Sequence, residues 1–362
     1  MKKTARILYT APEQDATIYW ASGFWTTDPF LYIETPAGER LIYISGFEYE
    51  RARKEANDGI TVLQFGKGDT IRGIFRKHGI KRISVSNNFP IRLYNKLKRS
   101  GFKVEIEDFL FPERKIKTSR EITEIRTVQR AAEKALERAI EIIRKSEIGQ
   151  SGYVYYERKP LTSEILRGAI QRGLLDYDCA VPQGIIASSG KDSAEPHNIG
   201  KGRVRAYTPI VLDVFPRSQI SHYWGDLTRT VVKGKAPERV KQMYDAVYLA
   251  QSFALRGIKA GGDFLKLNEE VRKFMADRGF ENNVVGGVEA GFIHSLGHRL
   301  GLDIHEGPNF SKDPILQEGE VVTVEPGLYY PNIGGVRIED VVSVTKNGCK
   351  NLTRISKQLL EL

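Results

Sequence analysis

The sequence predicts an α+β protein of two domains, a small α/β unit followed by a larger mixed one. Three observations carry this. The chain has 362 residues, more than a single hydrophobic core usually serves. Residues 1 to about 112 alternate short β-type runs with amphipathic helical ones, and the Pro-containing basic stretch FPERKIKTSREI ends that pattern. Beyond it, helical stretches and β-rich runs come in blocks with no repeat at a solenoid period. The boundary therefore falls between residues 1–114 and 115–362.

In chain order, FLYIET and RLIYIS read as strands around the turn PAGE. GFEYERARKEA and TIRGIFRKHG read as helices, KRISVSN and FKVEIED as strands. After the linker, Thr118 and Glu121 have the spacing of a capping box. The helix it opens carries Ile122, Ile125, Val128, Ala132, Leu136, Ile140 and Ile143 on one face and runs to about Lys145. PLTSEILRGAIQRG is a second helix, capped by Thr162 or Ser163. TPIVLDVF and GDLTRTVV read as strands. Two helices follow, one with Pro237 in its first turn and one stopped by Gly279. HSLGHRLGL, EVVTVEPG and GVRIEDVVSV return to β structure.

Composition narrows the class. Hydrophobic residues make up 41% and charged residues 28%, as in an ordinary globular chain. The net charge of +10 permits an acidic partner, but positives alternate with acids, as in SREITEIRTVQRAAEKALERAIEIIRK, so a solvated surface is expected rather than nucleic acid. Two cysteines, Cys179 and Cys349, make neither a disulfide framework nor a zinc motif, which favours a reducing compartment. The start MKKTARILYTA is positive, yet its apolar run is too short and polar for a signal peptide, and no run approaches a membrane span. A cytoplasmic protein without membrane contact is expected.

Chemistry concentrates in GFIHSLGHRLGLDIHEGP, which holds three of the six histidines. On a helix or a strand, His294 and His298 would share a face. Such a pair is structural more often than catalytic, so other residues must decide. Asp213 ends one β-type run, Asp226 begins another, Glu325 ends VVTVE, and Arg337 and Glu339 alternate with Val336 and Ile338. A carboxylate inside apolar strands costs several kcal/mol unless it is paired or metal-bound. Any one of these acids reads as an edge-strand residue in water; four of them beside His298 do not.

The order Asp213, Asp226, His298, Glu325, Glu339, with GDLTRT, HSLGHRLGLDIHEGP, VEPGLYYP and GVRIED, resembles the proline-specific branch of the pita-bread metallopeptidases, the Xaa-Pro aminopeptidases and Xaa-Pro dipeptidases (prolidases). IYWASGF and GFEYERARKE resemble that family's small creatinase/prolidase N-terminal domain. The resemblance implies a pita-bread catalytic domain and two divalent metal ions. Asp226 and Glu339 would bridge both ions, Asp213 would complete one site, and His298 and Glu325 the other. Four carboxylates then balance two dications instead of repelling one another. Oxygen-rich ligation with one imidazole suits Mn, Co, Zn or Fe(II), manganese being favoured. The implied substrate is a proline-containing peptide, and the implied assembly a homodimer. A metal-bridging hydroxide would attack the carbonyl before proline, with Glu325 moving its proton and His305 or His197 steadying the oxyanion. His294 matches a further family histidine, and Arg337 would orient carboxylates. Phe292, Tyr329 and Tyr330 are candidate linings of a proline pocket or core residues.

Departures from the family pattern bear on the substrate. The Asp213–Asp226 interval is about two residues longer than usual, an even insertion that keeps each strand residue on its face. Arg217 and His222 in that insertion would border the entrance or solvent. Arg299 follows His298 where a smaller or aromatic residue is usual, and either binds a substrate carboxylate or points away. In prolidases an arginine commonly follows the Pro of the HE motif, but here Asn309 stands there. With that carboxylate clamp missing, an Xaa-Pro aminopeptidase is expected and a dipeptidase is the alternative. Methionine aminopeptidases, creatinase-type hydrolases and inactive peptide-binding relatives fit the motif set less well.

Overall fold

The computed structural model describes residues 4–362, so the positive start at Lys2 and Lys3 lies outside the described residues. The chain forms two compact units, Met1–Arg114 and Lys115–Leu362.

The first unit is a six-stranded sheet flanked by helices. Its strands are β1 (Ala5–Thr10), β2 (Phe30–Glu34), β3 (Arg40–Ile44), β4 (Ile60–Gln64), β5 (Arg82–Ser86) and β6 (Lys103–Glu107), in the order β4-β3-β2-β1-β5-β6. β1–β2 and β2–β3 are antiparallel and the other pairs parallel. Helices α1 (Thr17–Ser22), α2 (Tyr49–Glu55), α3 (Ile71–Lys77) and α4 (Ile91–Arg99) complete it. Alternation along the strands divides the apolar side chains between two clusters. Ile7, Leu31 and Ile33 pack with Phe75 on one face, and Leu8, Phe30 and Tyr32 with Ile18 and Phe111 on the other. ARILYT is the strand β1, inside the sheet.

The second unit has two halves, each a helix pair laid on β structure, a four-stranded sheet in the first and a three-stranded and a two-stranded sheet in the second. Helix α5 (Ser119–Lys145) opens on the expected capping box: Thr118 accepts from the Glu121 N–H while Glu121 returns to the Thr118 N–H. With α6 (Ser163–Leu175), capped by Thr162, it covers the sheet of strands Ile185–Ser189, Pro209–Val214, Leu227–Val232 and Leu360–Glu361. Helices α7 (Glu238–Gly257) and α8 (Phe264–Ala276) cover strands Val321–Val324, Gly327–Tyr330, Gly334–Arg337 and Asp340–Thr345. Both cores are continuous and apolar: Leu136 and Ile140 meet Ile210 and Leu212, and Val247 and Val271 belong with Val322, Val324 and Val342. No helix among the described residues is long and apolar enough to cross a membrane.

Candidate metal centre

Strand parity aims the acids away from the helices. In Pro209–Val214, Ile210, Leu212 and Val214 belong to the core under α5 and α6, so Asp213 faces the other way. Val322 and Val324 belong to the core under α7 and α8, which leaves Thr323 and Glu325 on the opposite face. Val336 and Ile338 join the same core, leaving Arg337 and Glu339 opposite. The register Asp213↔Thr228 holds across the hairpin despite its longer connection, and Asp226 directly precedes Leu227, the partner of Val214.

The ligand atoms of Asp226, His298 and Glu339 lie within 4.8 Å of one another. His298 Nε2 is 3.4 Å from Asp226 Oδ2 and 3.4 Å from Glu325 Oε1. Arg337 donates to Asp213 Oδ2 at 2.6 Å, and the Thr228 hydroxyl donates to Glu339 Oε2 at 2.8 Å. The Thr323 hydroxyl links two of the candidate ligands, accepting from the His298 N–H at 3.0 Å and donating to Glu325 Oε1 at 3.0 Å. Two oxygens, Asp213 Oδ1 and Glu339 Oε1, are buried with no hydrogen-bond partner. Buried acceptors of this kind are almost always satisfied, so each calls for a ligand.

The electrostatics match. Burial raises the Glu339 carboxyl well above its ordinary range, and repulsion from Asp226, Glu325 and Asp213 adds to it. Burial likewise raises Asp213, partly offset by Arg337 and reinforced by Asp226. Glu325 is pushed up to about 7, by burial first, with His298 opposing and Asp226 adding to the shift. Burial works against charge on His298, yet its bond to Asp226 and the charge of Glu325 lift it to about 9. Carboxylates crowded in this way take up protons or bind cations. All-oxygen donors with one imidazole, two of the oxygens orphaned, fit hard to borderline divalent cations.

Around this group, the Tyr329 hydroxyl accepts from Arg337 at 2.7 Å and bonds His294 Nε2 at 2.9 Å. Burial and the Arg337 charge hold His294 neutral, with its value lowered to about 3. The His305 ring stands edge-on to His298 with centroids 4.2 Å apart, and burial and the His298 charge lower it too. His197 is exposed, close enough for its charge to act on both His294 and His305.

The model of metallopeptidase family M24 matches residues 123–346, and that of the creatinase/prolidase N-terminal domain residues 8–122. The chain belongs to metallopeptidase family M24. Among curated relatives, the Xaa-Pro dipeptidase of Pyrococcus horikoshii is 33% identical over 96% of this chain and 93% of its own, and that of Pyrococcus furiosus 34% identical over 95% and 92%. The crystal structure of the prolidase from Pyrococcus horikoshii matches with a TM-score of 0.80 at 30% identity, covering 99% of this chain and 95% of that one. The fold is thus the pita-bread catalytic domain behind a creatinase-type N-terminal domain, as the motifs imply.

Three sequence expectations for this metallopeptidase need revision or are decided. HSLGHRLGL is not a strand: residues 291–301 form irregular chain with isolated bridges at Gly291 and Arg299. His294 and His298 therefore do not share a face; one bonds Tyr329 and the other reaches Asp226 and Glu325. Gly297 shows why, since a Cβ there would lie 2.2 Å from the Thr323 carbonyl oxygen. Arg299 points away from the acids, its Nε bonded to Glu320 at 2.8 Å and its fork to Asp313 and the Pro308 carbonyl. Of the three aromatic candidates, Phe292 is core, Tyr329 is buried against Arg337, and Tyr330 packs beside Phe280. Thr228 and Thr323 went unread because threonine in a strand is unremarkable by composition.

Proposed function

We propose that this protein is a dinuclear-metal Xaa-Pro dipeptidase whose ligands are Asp213, Asp226, His298, Glu325 and Glu339. The observation that carries the reading is the convergence of four carboxylates, three buried and Glu325 half-buried, with one imidazole and with two oxygens left unbonded. The dipeptidase assignment, in place of the aminopeptidase expected from Asn309, rests on the two Pyrococcus relatives, both named Xaa-Pro dipeptidases. Asp226 and Glu339 would bridge the ions, Asp213 would serve one, and His298 with Glu325 the other. Manganese, cytoplasmic residence and a homodimer belong to the same reading.

When bound, the divalent ions supply the positive charge that polarises the scissile carbonyl and acidifies a water molecule. The chain's own groups do the rest. The Thr323 hydroxyl donates to Glu325 Oε1 and orients that carboxylate, which would move a proton to the departing imide nitrogen. Arg337 fixes Asp213 and, through the Tyr329 hydroxyl, His294. His305, whose ring stands against His298, or His197 would donate to the developing oxyanion. Proline at the cleaved bond has no N–H to anchor, so recognition falls to shape and to the charged ends of the substrate.

An Xaa-Pro aminopeptidase is the second reading, favoured by Asn309: this side chain is exposed and holds Ser311, offering no cation to a substrate carboxylate. Cleavage of Met-Pro against Met-Pro-Ala by manganese-loaded protein decides between them. Preference for the dipeptide by tenfold or more in kcat/KM supports the dipeptidase; the opposite preference supports the aminopeptidase. Inactivity on both in metal and chelator alike removes both readings.

A further inference from the structure

The candidate ligands stand where their strands stop. Asp226 precedes the Leu227–Val232 strand, Glu325 follows Val321–Val324, and Glu339 lies in the gap between Gly334–Arg337 and Asp340–Thr345. At such points the regular ladder no longer ties the backbone, and other groups must do so.

Two glutamines, one from each half of the catalytic unit, take that place. Gln129 of α5 is fully buried. Its Oε1 accepts from the Asp226 N–H at 2.9 Å, and its Nε2 donates to the Asp226 carbonyl at 2.7 Å and to the Thr353 hydroxyl at 3.0 Å. Thr353 in turn accepts from the Val341 N–H, two residues beyond Glu339. Gln251 of α7 is also fully buried, and its Nε2 donates to the carbonyls of Val324 and Ile338 at 3.0 and 3.3 Å. Those residues immediately precede Glu325 and Glu339. Glutamine in a helix is ordinarily a surface residue. Here each amide joins two ligand-bearing segments that are far apart in sequence, from opposite helix layers. The neighbouring Gly225 leaves room for the first of them: a Cβ there would lie 3.1 Å from the Gln129 Oε1 and backbone N.

We propose that Gln129 and Gln251 are positioning residues, paired amide braces that hold Asp226, Glu325 and Glu339 at the spacing needed to take a second divalent cation. The inference rests on the dinuclear reading above. Without a brace, mutual repulsion spreads the carboxylates, and the weaker ion is lost first.

The test uses full-length protein stripped of metal, titrated with Mn(II) while free Mn(II) is followed by its electron paramagnetic resonance signal. Gln129→Met and Gln251→Met keep side-chain length and remove the amide; circular dichroism in chelator checks that each is folded. The first Mn(II) is expected to bind nearly as in the wild type and the second at least tenfold more weakly, with a larger loss in the double variant. Ser146→Ala removes a buried hydrogen bond at the end of α5, away from the acids, and is expected to lower Tm without changing Mn(II) uptake. Folded Gln129→Met and Gln251→Met variants that bind two Mn(II) with wild-type affinities overturn the braces. Should Gln129→Met not be recovered folded, Thr353→Val and Thr353→Ser carry the same question. A threefold or greater weakening in the valine variant, restored by serine, supports the brace, and wild-type binding by both overturns it. A wild type that never takes a second ion instead sinks the dinuclear reading, before any substitution is made.

Discussion

Two buried ionic clusters lie side by side in the catalytic unit and differ in one respect, charge balance. In the first, Lys115, Lys117 and Arg299 meet Asp313, Glu306 and Glu320: Lys117 pairs with Glu306, Lys115 with Asp313, and Arg299 with Glu320. In the second, Asp213, Asp226, Glu325 and Glu339 face a single guanidinium, Arg337, and His298. They touch through the chain itself, for Arg299 follows His298, Glu306 follows His305, and the two form a β-bridge. A balanced buried cluster is a structural device whose members satisfy one another. An unbalanced one takes up protons or binds a cation. That contrast, more than the number of acids, supports the proposal that the second cluster is the working site and the first its frame.

The sharpest way to break the comparison is to remove one charge from each side. Asp226→Asn is expected to lower kcat/KM by about 10³-fold or more, since metal charge stabilisation is worth several kcal/mol and each 1.36 kcal/mol is tenfold. In chelator the same variant is expected to melt higher than wild type, because one repelling charge is gone. A variant that keeps activity, or melts lower without metal, removes the distinction.

Lys117→Met makes the opposite case in the balanced cluster. It strands Glu306 without its cation, and a loss of about 3–5 kcal/mol of stability is expected, the same with and without metal. Thermal melts in manganese and in chelator check this: a loss confined to the loaded protein would assign Lys117 to the site instead.

His305 probes the seam between the clusters. Its ring stands against His298, and the next residue, Glu306, is anchored by Lys117. His305→Ala is expected to lower kcat by about 10²-fold, the scale of one oxyanion donor, with Mn(II) affinity and Tm nearly unchanged. A matching fall in Mn(II) affinity would mean that His305 acts by supporting His298.

The sequence disclosed these two clusters unequally. Asp213, Glu325, Arg337 and Glu339 are visible because a charge on one parity of an apolar strand has no bland explanation once four of them recur. Arg299 offered two directions, and only the packing of Glu320 and Asp313 around it decides. The His294–His298 pair misled because an even spacing implies a shared face only on a regular element, and residues 291–301 form none. Gln129 and Gln251 left no signal, since helix periodicity does not tell a buried amide from a solvated one. Asn309 favoured an aminopeptidase through a single position, whereas 33% identity over nearly the whole chain weighs every position at once.

The smallest expected effect concerns pH. Glu325 has a folded value near 7 against an ordinary 4.5, so its contribution to stability is full below 4.5 and lost as pH rises through about 7. Asp213 and Glu339 are shifted the same way. His298 stands at about 9 against 6.5, so its contribution is full below 6.5 and lost as pH rises through about 9. All four act in one direction; His294 and His305, lowered from 6.5, act the opposite way below that value, so metal-free protein is expected to lose a few degrees of Tm from pH 6.5 to 9. Cations demand the deprotonated ligands, so loaded protein should gain on the metal-free form over the same window. A metal-free Tm that is flat or rises with pH would mean that the four acids are not crowded enough to need a cation, and the two clusters would then differ in composition alone.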